Sequence, residues 1–161
     1  YQEIDGSGNP VGTMQTPYVN NAGDGSWISF QGFAAGKRYR VYAYGGTFQK
    51  IDFKTYSWYK DDIINVVQWG STQWKSLDSA FYQCTNLDVT ATDKPDLSAG
   101  PSLQYMFQEC KNLKYANGVI NSWNMQNVYS VNSMFRGDSA FNQPLGGWKL
   151  SRIGDAIFIL R

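Results

Sequence analysis

The side chains with chemistry to offer are two cysteines, one Arg-Gly-Asp tripeptide and a few groups of acids. Cys84 and Cys110 stand in matching surroundings, Phe81-Tyr-Gln-Cys84-Thr-Asn86-Leu87 and Phe107-Gln-Glu-Cys110-Lys-Asn112-Leu113. On neighbouring coils they form a disulfide only if their Cα atoms come within ~7 Å. The other reading is a pair of small buried thiols, which is common for free cysteine. Helix-side separations in stacked repeats exceed strand-side ones, so free thiols are the expectation. A zinc site on this pair needs more ligands, and the chain has no histidine to supply them.

Arg136-Gly137-Asp138 spells the integrin-binding tripeptide. It requires an exposed loop, whereas this Gly falls where a helix exit is expected, so the match reads as incidental. Asp5-Gly-Ser7-Gly-Asn9 places oxygen ligands at alternate positions, as calcium loops do, but lacks the distal bidentate Glu. Asp61-Asp62 and the trio Asp88, Asp93 and Asp96 read as solvated loop acids, so neither metal nor cofactor is expected. Catalysis is not expected either. Without histidine there is no ordinary base at neutral pH. Glu3 and Glu109 are the only glutamates, and no phosphate-binding Gly-rich loop or nucleophile elbow occurs.

What positions these residues is a repeat. Trp123, Val128, Val131, Met134-Phe135, Phe141, Leu145 and Trp148 mark one full unit. Met134-Phe135 has counterparts at Met106-Phe107, at Ala80-Phe81 and, in the other direction, at Ile159-Leu160. Four copies at a period of 25 to 28 residues are the signature of a solenoid. Before the Cys/Asp position the apolar residues fall three or four apart: Trp74, Leu77, Phe81; Leu103, Met106, Phe107; Val128, Val131, Met134, Phe135. That spacing predicts one face of a short helix in each unit, with Ser102 and Asn127 as N-caps. Leu87-Asp-Val89 and Leu113-Lys-Tyr115 follow as short strands. One such unit cannot bury its apolar face alone, so the copies must stack. The expected repeat core also takes in Trp69, Leu87 and Leu113, with the three in-register tryptophans Trp69, Trp123 and Trp148 in the core or at its rim.

The run Trp123-Asn-Met-Gln-Asn127-Val128-Tyr-Ser-Val131-Asn-Ser-Met134-Phe135-Arg-Gly, followed by Ala140-Phe141-Asn142-Gln143-Pro144-Leu145, resembles the BspA-type leucine-rich-repeat surface proteins. The likeness is specific over this unit and looser elsewhere, from about Ile63 to Arg161. Asp138 departs from the pattern, as do Gly100-Pro101 and Ile159-Leu160. The resemblance implies an extracellular or surface-displayed recognition protein and names no ligand.

Residues 1–60 lack the repeat. Tyr1 to Asn21 is Gly-rich and polar and reads as turns with an edge strand. Trp27 to Gln31 alternates, Arg38 to Tyr44 is β-rich and closed by Gly45-Gly46, and Phe48, Ile51 and Phe53 continue as a strand. The expected architecture is therefore α/β: a small antiparallel β unit over 1–60 sealing a leucine-rich-repeat-like solenoid of short strands and helices over 61–161. Ending at Phe158-Ile159-Leu160-Arg161, mid-face, the array is expected to continue or to be covered by another chain. Tyr1 is no start residue, so a processed product or fragment is expected.

A formal charge of +1 favours neither nucleic acid nor an anionic membrane, and no apolar run approaches the ~20 residues that span a bilayer. Aromatics at 16% beside few charges point to an exported protein. Solenoids bind through equivalent positions of successive units. Tyr82, Tyr105, Lys114, Tyr115 and Tyr129 are the candidate contact residues, since tyrosine offers rigid area with a polar tip. The expected function is extracellular recognition of a protein or glycan on another cell or particle. The alternative is a structural component of an assembly, such as a virion decoration, fibre, tail or filament subunit, touching neighbouring subunits.

Overall fold

The computed structural model of the chain describes residues 1–15, 18–20, 27–29, 33–42, 48–53, 57–153 and 159. Two compact units divide between Gly46 and Thr47. The Gly45-Gly46 turn, Ala43-Tyr44, Phe30-Gln31, Phe158 and the Leu160 position lie outside the described residues.

The first unit is antiparallel. Strand β1 (Gln2–Ile4) lies between β2 (Pro10–Val11) and β5 (Arg38–Arg40), and β3 (Tyr18–Asn20) pairs with β4 (Trp27–Ser29). The Gly-rich opening thus holds three strands where the sequence reading placed one. Asp5 sets the first reversal: its carboxylate accepts the Ser7 and Asn9 N–H groups and the Asn9 amide. The Asp5-to-Asn9 stretch is therefore an Asx turn joining β1 to β2. Phe33 stacks on Tyr39 at 4.4 Å, with Tyr1 edge-on to both.

The second unit contains the repeat. The short helices expected there are not formed; the described residues contain no α-helix, only 3₁₀ turns at Ser57–Asp62 and Val119–Ser122. Each expected helix is instead a run of linked β-turns. In one copy the Ala80, Tyr82 and Cys84 N–H groups bond back three residues, to Leu77, Ser79 and Phe81. The N–H groups between them cross to the next copy: Leu77 to Ser102, Ser79 to Gln104, Phe81 to Met106 and Gln83 to Gln108. The next copy repeats this, with Leu103, Tyr105, Phe107 and Glu109 donating to Ser130, Asn132, Met134 and Arg136. Alternate donors thus close a turn or tie a coil to its neighbour, and the backbone is satisfied without a helix.

The turns explain the polar residues between the apolar ones. The turns starting at Leu77, Phe81, Leu103, Phe107, Val131 and Phe135 each have positive φ at their third residue, as type II turns require. Those residues are Ser79, Gln83, Tyr105, Glu109, Ser133 and Gly137, at φ of 55, 62, 57, 63, 52 and 81°. Ser76, Ser102 and Ser130 occupy one register, and each hydroxyl accepts the N–H two residues on, at 3.2 to 3.4 Å. These are the serine turns that compete with helix formation. Ser102 is therefore not a helix cap, and Asn127 instead donates its amide to the Ser98 carbonyl.

The apolar side chains between the turns meet in register. Phe81 and Phe107 stack at 5.6 Å and 8°, Phe107 and Phe135 at 5.7 Å and 12°, and Phe135 and Phe141 at 4.2 Å and 10°. Burying Phe81, Phe107 and Phe135 contributes ~1.5–3 kcal/mol each, and each aromatic pair a further ~0.5–1.5 kcal/mol. Leu77, Leu87, Leu103, Met106, Leu113, Val128, Val131 and Met134 are fully buried around this row, with Trp69 and Trp123. Phe141, Leu145 and Trp148 are only half-buried against it. Phe48, Ile51 and Phe53 also pack on this core, and Phe53 lies 5.8 Å from Phe81. Phe53 N–H bonds to Ala80 O and Lys50 pairs with Ser76, so this segment is a partial first coil rather than a strand of the β unit.

Of the expected strands, β7 (Asp88–Val89) forms and pairs in parallel with β6 (Asn65–Val66). Leu113 to Tyr115 does not extend that ladder, because Asp88 Oδ1 takes the Lys114 and Tyr115 N–H groups at 3.1 and 2.9 Å.

Candidate binding surface

Because the coils are tied one step apart, equivalent residues form columns along the unit. One column runs Lys50, Ser76, Ser102, Ser130, fixed by parallel bridges from Lys50 to Ser76 and from Ser102 to Ser130. The adjacent positions, Asp78, Gln104 and Asn132, form a second. Between them lies an open groove of about 290 Å³ lined by Lys50, Asp52, Ser76, Asp78, Ser79, Gln104 and Tyr105. Lys50 is ion-paired with Asp52 at 3.3 Å.

The five contact candidates separate. Tyr105 lines the groove. Tyr82 is half-buried under the Lys60 ammonium, 5.1 Å from its ring centre, and Lys60 also donates to Gln83. Tyr129 and Lys114 are exposed. Tyr115 is not a surface residue: it is fully buried, accepts the Trp69 Nε1–H at 3.2 Å and lies edge-on to Trp123. Burial pushes its phenol up from the ordinary value. Sequence reasoning missed Lys50, Asp52, Asp78 and Gln104. The signal available was their register with Ser76, Ser102 and Asn132.

The chemically interesting side chains are used in structure. Cys84 and Cys110 are free and buried. Cys110 donates its thiol to the Phe81 carbonyl at 3.0 Å. Burial pushes the Cys84 thiol up to about 12 and raises Cys110 as well, which suppresses the reactive thiolate. Asp138 is 8% exposed, with Oδ1 accepting the Cys110 N–H at 2.7 Å. A buried carboxylate cannot reach a receptor's metal, so the Arg-Gly-Asp tripeptide is inert as a ligand. Burial, reinforced by the Glu109 charge, pushes Asp138 up to about 8.

The other acids act between or within coils. Asp93 accepts the Trp69 and Gly70 N–H groups, and Asp96 caps Ser98, whose hydroxyl and N–H hold its carboxyl below the usual range. Asparagines do the same for neighbouring coils: Asn86 to Asp61 O, Asn112 to Asn86, Asn117 to Ala91 O. No group of three or more metal-ligating residues occurs among the described residues. Nor is any helix among them long and apolar enough to cross a membrane.

The sequence profile of the DUF285 family, described as Mycoplasma protein of unknown function, matches residues 75–160. That is more than half of the chain, and the chain belongs to this family. The matched span holds the three complete Phe-centred units. No curated protein and no solved structure matches the chain.

Proposed function

We propose that the chain is a leucine-rich-repeat-like solenoid of the BspA type that acts by recognition rather than catalysis. It is displayed outside the cell and binds a protein or glycan. The observation that carries this reading is the contrast between inward and outward positions of the same turns. Inward, the type repeats: Phe81, Phe107, Phe135. Outward, the register partners differ: Asp78, Gln104 and Asn132. A scaffold that keeps its core and varies its surface in columns is how repeat proteins build binding faces. The absence of histidine from the whole sequence favours binding over acid–base chemistry.

The test is to probe labelled protein against arrays of matrix proteins and glycans while measuring solution mass by light scattering. A monomer with saturable binding to an array component supports recognition. An obligate oligomer with no saturable ligand overturns it in favour of an assembly component.

A further inference from the structure

We propose that the groove beside Tyr105 is a subsite for a neutral, extended glycan lying across successive coils; this rests on the recognition reading above. The coils repeat themselves at the groove except in the middle. At the outer two rungs the pairs are Asp78-Ser79 and Asn132-Ser133, and each serine hydroxyl donates to its neighbour, at 3.2 and 3.1 Å. The middle rung is Gln104-Tyr105. Tyr105 sits at φ 57°, a left-handed position that a bulky residue rarely takes. Its ring is partly buried and lines the groove. Both flanking coils place a serine at this position, so the tyrosine sets the middle rung apart at the groove.

The chemistry of the lining selects the ligand. Asp52, Asp78 and the Gln104 carbonyl accept from hydroxyl groups; Lys50, Ser76 and the Gln104 amide donate to them. The Tyr105 ring offers a flat face for the C–H side of a sugar. One lysine against two aspartates disfavours sulfated or carboxylated chains. The spacing disfavours a peptide. Rungs set by parallel backbone pairing recur every ~4.8 Å, whereas side chains on one face of an extended peptide recur every ~6.6 Å. One sugar ring with its linkage matches one rung.

The experiment titrates the whole chain with cellohexaose, chitohexaose and mannohexaose, following amide shifts and affinity. The expected result is saturable binding of at least one hexaose, with shifts at Asp78, Gln104 and Tyr105. Tyr105→Phe should bind as the parent does. Tyr105→Ser, which installs the residue of the flanking coils, should weaken binding at least ten-fold with an unchanged melting temperature. Absence of binding by all three hexaoses, or equal binding by the Tyr105→Ser protein, overturns the proposal. If the parent then binds an array protein or an anionic glycosaminoglycan, the groove assignment falls while the recognition reading stands. If nothing on the array binds, both fall.

Discussion

Asp138 Oδ1 accepts the Cys110 N–H at 2.7 Å, while Asp138 Oδ2 is buried with no hydrogen-bond partner among the described residues. A carboxylate half-satisfied in a dry site prefers its proton, and the nearby Glu109 strengthens that preference. The folded value, about 8, lies above the ordinary 3.8. Folding therefore takes up a proton between those values. The stability this group confers is full below about pH 4 and is lost as pH rises through about 8. Asp138→Asn keeps the acceptor and removes the titration. Its melting temperature should show less fall across that range than the parent's, and above pH 8 the variant should be the more stable, by on the order of a few kcal/mol. Identical pH profiles for the two proteins would contradict the burial.

Phe107 is stacked on both sides and fully buried. Phe107→Ala should cost ~3–5 kcal/mol in denaturant unfolding. A loss below ~1 kcal/mol would remove this ring from the core.

The thiols make a chemical prediction. Cys84 and Cys110 are buried and held protonated, so a thiol reagent at pH 8 should label neither at an appreciable rate in the native protein and both after unfolding. Reductant should leave the melting temperature unchanged. A reductant-sensitive melt would mean that the pair is bonded.

Gly137 is the glycine at the third position of its turn, at φ 81°, and a Cβ there would meet Glu109 Oε1 at 2.5 Å. Gly137→Ala should destabilise by ~1–2 kcal/mol from the left-handed backbone alone. Adding Glu109→Ala should recover the part due to crowding and leave the backbone part. Full recovery in the double variant would argue against a left-handed turn.

These residues also show what the sequence could and could not reveal. The register of Phe81, Phe107 and Phe135 was legible because a stacked core repeats the same side chain at the same step. The turns were not legible as turns. Apolar residues three or four apart suit a helix face and equally a run of type II turns, since both return the chain inward at that interval. The distinguishing signal was the serine at 76, 102 and 130 and the polar residues at the positive-φ positions, which the apolar period does not report. Phe48 to Phe53 escaped notice as a coil because it lacks the Cys-x-Asn-Leu tail of the two copies that follow it. Tyr115 was read as surface beside Lys114; its burial depends on Trp69, a residue two coils away that no local pattern brings near. The groove was half legible: Tyr105 stood out, while Lys50 and Asp52 belong to the coil that was missed.

The interlocked turns underlie everything above, and through-hydrogen-bond scalar couplings measure them directly. In an NMR experiment correlating amide nitrogens with acceptor carbonyls, Ser79 N should couple to Gln104 C′, Phe81 N to Met106 C′, and Tyr105 N to Asn132 C′. Couplings from Phe81 N to Leu77 C′ and from Phe107 N to Leu103 C′ would instead mean helices within each unit, and would contradict the account.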